Sequence, residues 1–182
     1  MNKKLLLLFL ITVCSSFSKK VDNTYIDRQG KITFFSYTPV ENIQATNTSV
    51  LSVLNADNGE IAVEVLMRAF EFKKTLMYEH FNESYIESDL YPKAILQGEI
   101  VDFDSKAQNQ TKIVKGNFTL RGITKPVEIK VNIVKTNNYY LINGELEVEI
   151  NDHDIRVPKI LSANIAKKIQ VSFNFQYESY EN

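Results

Sequence analysis

Two short stretches bring together side chains that could do chemistry. In LMYEHFNESYIESDLYPKA, residues 76–94, His80, Glu83 and Glu87 recur at intervals of three and four. A helix would set this imidazole and two carboxylates along one side, as a divalent metal requires. The second stretch is Asp152-His153-Asp154, by composition a ligand triplet or an acid–base pair. Each has a plainer reading. Glu79, Glu83 and Glu87 form one row, the kind a solvated helix face carries. Adjacent strand residues point to opposite faces, so Asp152, His153 and Asp154 converge only if the chain turns, and their composition favours a turn. The chain has two histidines, and its one cysteine, Cys14, lies in the leader, so bases and nucleophiles are few. The expectation is no catalytic residue, no metal and no cofactor.

What must position such groups is mostly β-structure. The same stretch that holds His80 also places Met77, Phe81 and Tyr85 four apart, predicting a short helix over about 74–89 with one greasy and one acidic face. Pro92 holds Tyr91 extended, so the helix should finish by Asp89 and a strand should begin at Ala94. From Ile32 onward the rest alternates with a period of two, rich in Ile, Val, Phe and Tyr. Ile32 and Phe34 share one face of the first strand, with Phe35 and Tyr37 on the other. A polar stretch, Glu41 to Ser49, precedes Val50–Leu54, and Asn55–Gly59 is a turn. Ile61, Val63, Val65 and Met67 occupy odd positions, whereas Phe70 and Phe72 occupy even ones; the change of phase at Ala69 predicts a β-bulge.

Further inward rows are Ala94, Leu96, Gly98 and Ile100, then Val114, Gly116, Phe118 and Leu120, then Val127, Ile129, Val131 and Ile133. A two-residue hairpin at Asn143-Gly144 would put Ile142 and Glu145 on one face. Reading through it keeps Tyr140, Ile142, Gly144, Leu146, Val148 and Ile150 together, so one long strand kinked at Gly144 is expected. Ile155 to Ala166 is irregular, and Ile169, Val171, Phe173, Phe175 and Tyr177 form the last strand. The four prolines fall between elements on this reading. About eight strands, continuous along the chain, close most simply into an up-and-down antiparallel barrel.

The 182 residues suit a single domain, and a formal charge of −1 argues against a nucleic-acid binder. Lys3 and Lys4 before the apolar run Leu5–Val13 have the order of a secretory signal and are too short to span a bilayer. A cut before Lys19 leaves residues 19–182 as the mature domain after a signal peptide of residues 1–18. The alternative is a lipid anchor on Cys14. With no other cysteine, the mature body can form no internal disulfide. Asn47, Asn82, Asn109 and Asn117 match N-x-Ser/Thr and read as chance matches beside a bacterial-looking leader.

Three ordered stretches carry a family resemblance: FEFKKTLMYEHFNESYIESDLYPKA (Phe70–Ala94), KGNFTLRGITKPVEI (Lys115–Ile129), and the terminal pair around EINDHDIRVPKILSANIAKKIQVSF. Together they resemble the YceI-like family over nearly all the chain after the leader. The resemblance implies a lipocalin-like eight-stranded barrel holding an isoprenoid or other long-chain lipid inside. An eight-stranded barrel is just wide enough to be filled by side chains or to hold one slender ligand. Alternation then names the expected lining: Phe34, Phe70, Phe72, Met77, Phe81, Tyr85, Leu96, Ile100, Phe118, Leu120, Ile142, Val148 and Phe173. Relatives of this type often carry Phe where Leu96 stands, a change that would widen the cavity. The expected role is a periplasmic or secreted carrier, reservoir or sensor of lipid, with transient membrane contact and an oligomeric state that includes a homodimer among its options. A metal-dependent or lipid-modifying enzyme, and a solid-core module for a protein partner, are the alternatives.

Overall fold

The computed structural model describes residues 23–38, 42–157 and 165–180. The expected leader, its expected cleavage site and Cys14 lie outside the described residues. Eight long antiparallel strands close on themselves: β1 (Thr24–Ser36), β2 (Ile43–Asn55), β3 (Glu60–Leu66), β5 (Lys93–Ile100), β6 (Asn109–Leu120), β7 (Ile123–Lys135), β8 (Tyr139–Glu149) and β9 (Lys168–Ser179). A two-residue β4 (Glu71–Phe72) pairs with Ala45 and Thr46 of β2. The sheet order is β1-β9-β8-β7-β6-β5-β3-β2, and pairing of β1 with β2 closes the ring. Among the described residues closure leaves no long edge exposed, which a sheet of this length otherwise must cover. A short helix, α1 (Thr75–His80), follows β4.

Several boundaries differ from the sequence reading, each for a polar reason. β1 begins at Thr24 rather than Ile32 because Asp27, although charged, serves the backbone. Its Oδ1 accepts the Gln29 N–H at 2.9 Å and its Oδ2 the Gln176 N–H at 2.7 Å. The polar stretch before Val50 is strand as well. Asn47 is fully buried there, donating from Nδ2 to the Leu66 carbonyl and accepting the Ser49 N–H, at a shift in the β1–β2 register. Burial of Asn47 and Asn82 also removes two of the four glycosylation matches from reach. At Ala69 a 3-10 turn over Met67–Ala69, not a bulge, reverses the phase, with Phe70 N–H bonded to the Met67 carbonyl.

Pro126 lies inside β7, opposite Asn117 of β6, rather than between elements. β7 and β8 are paired only from Val131↔Gly144 to Lys135↔Tyr140, so the missing N–H of Pro126 breaks no bond to β8. The connection before it is only Arg121-Gly122. Both residues have positive φ, 50° and 73°, as a two-residue hairpin turn demands. β8 continues through Asn143-Gly144 as one strand, as alternation predicts, and parts from β7 there. A side chain at Gly144 would begin 2.7 Å from the Phe173 ring, so glycine makes room for that ring on the inner wall.

The barrel interior divides in two. At the end holding the β2–β3 and β7–β8 turns, Leu54, Ile133, Tyr140, Ile142 and Tyr177 are packed with almost no exposure. The Tyr177 and Ser52 hydroxyls are 2.6 Å apart, and Tyr25 meets Tyr140 edge to face. At the other end the strands surround space.

Candidate functional site

That space is a cavity of about 400 Å³, within the size range of small-molecule sites. Phe34, Phe70, Phe72, Met77, Phe81, Tyr85, Leu96, Phe118, Leu120, Val148 and Phe173 border it, as alternation and the helix period place them. Ile100 and Ile142 do not. Both face inward and both are buried, at 2% and 0% exposure, but they sit in the packed end below the cavity. Alternation tells which face a residue takes and not how far along the barrel axis it lies.

Other wall residues escaped the reading. Ile129, Val131, Leu146, Ile169 and Val171 belong to inward rows that alternation found, but alternation alone did not separate them from inward residues of the packed end. Ile155, Val157 and Ile165 come from an irregular segment without period. Ile86 is a consequence of helix geometry. After α1 the chain makes one π turn over Phe81–Tyr85, in which the Ile86 N–H bonds the Phe81 carbonyl at 2.9 Å. The wider turn rotates Ile86 inward, where a four-residue period would not put it.

The helix is held across the cavity end by aromatic contact. Phe81 stacks on Phe34 with centroids 5.4 Å apart and lies 5.1 Å from Phe72 and 5.7 Å from Phe70. Such pairs each contribute about 0.5–1.5 kcal/mol beyond area burial. Polar groups then end the helical segment sooner than Asp89. Asn82 donates to the Tyr78 carbonyl, Ser88 Oγ donates to Asn82 Oδ1 at 2.8 Å, and Glu87 takes a positive φ of 55°. Glu87 turns away to pair with Arg121, whose Nη1 donates to the Asp154 carbonyl at 2.8 Å. The Arg121 guanidinium also lies 5.5 Å from the Tyr91 ring centroid. One side chain thereby ties the turn after the helix to the β6–β7 hairpin and to the turn after β8.

The two chemistry-bearing stretches do not assemble into reactive sites. With Glu87 engaged by Arg121, the row His80, Glu83, Glu87 does not converge on a metal. His153 occupies a 3-10 turn (Ile150–His153) and is 3% exposed. Its Nδ1 lies 3.3 Å from the Leu120 carbonyl and 3.2 Å from that of Ile123, so it carries the proton and clamps the β6–β7 hairpin. Phe118 meets its ring edge to face. Asp154 faces outward, and hydrogen bonding from Arg156, with Arg121 nearby, holds its carboxyl below the ordinary value. Among the described residues no group of three His, Cys, Asp or Glu is placed to hold a metal ion.

Comparison with known proteins bears on this architecture. The model of the YceI-like domain matches residues 18–177. The chain belongs to the YceI-like family. Solved structures share the fold at low identity. A polyisoprenoid binding domain from Saccharophagus degradans, implicated in plant cell wall breakdown, superposes with a TM-score of 0.74 at 11% identity, covering 87% of this chain and 99% of that one. BcnA of Burkholderia cenocepacia gives 0.65 at 11% identity over 82% and 96% of the two chains. The YceI protein of Campylobacter jejuni gives 0.65 at 10% identity over 80% and 90%. No curated protein matches the sequence.

Proposed function

We propose that this YceI-like protein binds a long-chain apolar lipid, a polyisoprenoid or one of similar length, in the hollow half of its barrel. Binding, rather than catalysis, shields the lipid from water, in the role of carrier, reservoir or sensor. The observation that carries the reading is the cavity of about 400 Å³ bounded mainly by Ile, Val, Leu and Phe side chains. An empty apolar hollow costs roughly 24 cal/mol per Å³, or on the order of 10 kcal/mol here as an upper bound, since this one reaches the surface. That is the whole stability of a typical domain, about 5–15 kcal/mol. A hollow of this cost points to a use for it, and a bound ligand would offset it.

Magnitudes also set the ligand's length. Each buried methylene contributes about 0.8 kcal/mol, against an association cost of roughly 4–15 kcal/mol. A ligand held by apolar contact alone needs well over ten carbons. The polyisoprenoid chemistry of the Saccharophagus degradans domain supports the same class. The leader supports export to the periplasm or beyond, where a water-filled space must be crossed by such a lipid, with brief membrane contact at loading.

Native mass spectrometry of the protein purified from a bacterial envelope, followed by organic extraction, tests the proposal. The expected result is a stoichiometric long-chain lipid that Phe81→Asp removes while circular dichroism shows the barrel intact. A bare protein mass from repeated preparations, with no uptake of added polyprenol, would refute it.

A further inference from the structure

The cavity wall is not uniformly apolar, and its polar groups are gathered. Among the described wall residues, four side chains carry an N–H or O–H: Ser36, Lys74, His80 and Tyr85. Ser36 is 2% exposed and already bonded, its Oγ accepting the Ala166 N–H at 2.9 Å. Lys74 also has a partner of its own. His80 and Tyr85 remain, and neither ring makes a side-chain hydrogen bond among the described residues. They come from the last residue of α1 and the end of the π turn, and their ring centroids are 6.5 Å apart with planes near perpendicular. The two rings are therefore neighbours on one part of the wall.

The π turn decides this pairing. A regular helix would place Ser84, four residues on, beside His80; the wider turn brings Tyr85 there instead. Both rings border the apolar hollow and neither is fully exposed. Burial pushes the Tyr85 phenol up, which keeps its O–H protonated and available as a donor. The His80 imidazole supplies at least one further N–H. Donors half-withdrawn from water and left without an acceptor are a cost that a suitable ligand removes.

We infer that His80 and Tyr85 seat the head group of the bound lipid, and that this head group presents an acceptor oxygen, as a carboxylate or a carbonyl does. The inference rests on the cavity being a lipid site and adds the ligand's polar end: the chain runs down toward Val131 and Phe175, and the oxygen stays under the helix. A site built to hydrogen-bond one group rejects an analogue that lacks it, so the pair also selects among lipids of equal length.

Displacement of an apolar fluorescent probe from the full mature chain provides the test, with oleic acid, methyl oleate and a hydrocarbon of matched length as competitors. The wild type should prefer the oxygenated ligands over the hydrocarbon by about tenfold. Tyr85→Phe and His80→Phe should each reduce that ratio roughly three- to tenfold, the worth of one hydrogen bond, while His80→Gln, which keeps a donor, should preserve most of it. A preference for the acid alone identifies the carboxylate as what is read; equal preference for acid and ester identifies the carbonyl. Equal affinity for all three competitors in the wild type, or an unchanged ratio in both Phe variants, would overturn the inference and leave lipid binding standing. Failure of all three to displace the probe would overturn both.

Discussion

The two halves of this barrel are built from the same strands and the same residue types, and they behave differently because of what closes them. At one end Tyr140 and Tyr177 reach across the interior, and Leu54, Ile133 and Ile142 fill what is left. At the other, Phe34, Phe70, Phe72 and Phe81 pack on one another beneath the helix and along one side. Large side chains that meet across an axis make a core, whereas those that cluster on one wall leave a hollow beside them. The filled half can carry stability for the whole, which frees the hollow half to be shaped for a ligand.

Substitutions can break this contrast. The largest effect on folding is expected at the filled end, where Ile142→Ala should cost about 2–5 kcal/mol in chemical denaturation and leave lipid affinity nearly unchanged. Phe81→Ala should behave in reverse, costing less than the ~3–5 kcal/mol of a closed core because the hollow already adjoins it, and weakening lipid uptake strongly. If the two variants lost stability equally and bound equally, the halves would not be distinct.

Arg121→Met probes the tie between the helix turn and the barrel. Its ion pairs are partly exposed, so the loss should be about 1 kcal/mol or less. Faster amide exchange confined to residues 75–91 is the sharper sign. The smallest effect is a slope. Burial raises the Tyr177 phenol above its ordinary value, so the folded state holds that proton more tightly than the unfolded chain does. Its contribution is therefore complete below about pH 10 and lost progressively as pH rises beyond. Tyr177→Phe should flatten the alkaline loss of stability seen in unfolding titrations.

Much of the fold was legible in the sequence, but the contrast between its halves was not. Strand alternation gave the class, the faces and nearly all the strands, and even the continuation of β8 through Asn143-Gly144, because inward rows of Ile, Val, Phe and Tyr obey a period of two. Polar residues working for the backbone hid what was missed. Asp27 and Asn47 look like loop residues until their carboxylate and amide are seen bonding main-chain groups. Depth along the axis has no period, which is why Ile100 and Ile142 were placed on the cavity wall beside residues that do line it. The π turn leaves no composition signal either, so Ile86 joined the wall unannounced and the His80–Tyr85 pair could not be read.

The most direct test of the account is a crystal structure of the protein loaded with a long-chain lipid brominated near the middle of its chain. Anomalous signal inside the hollow half, between Phe81 and Val131, is the predicted result. Signal only on the outer surface, or between molecules with the hollow unfilled, would contradict it.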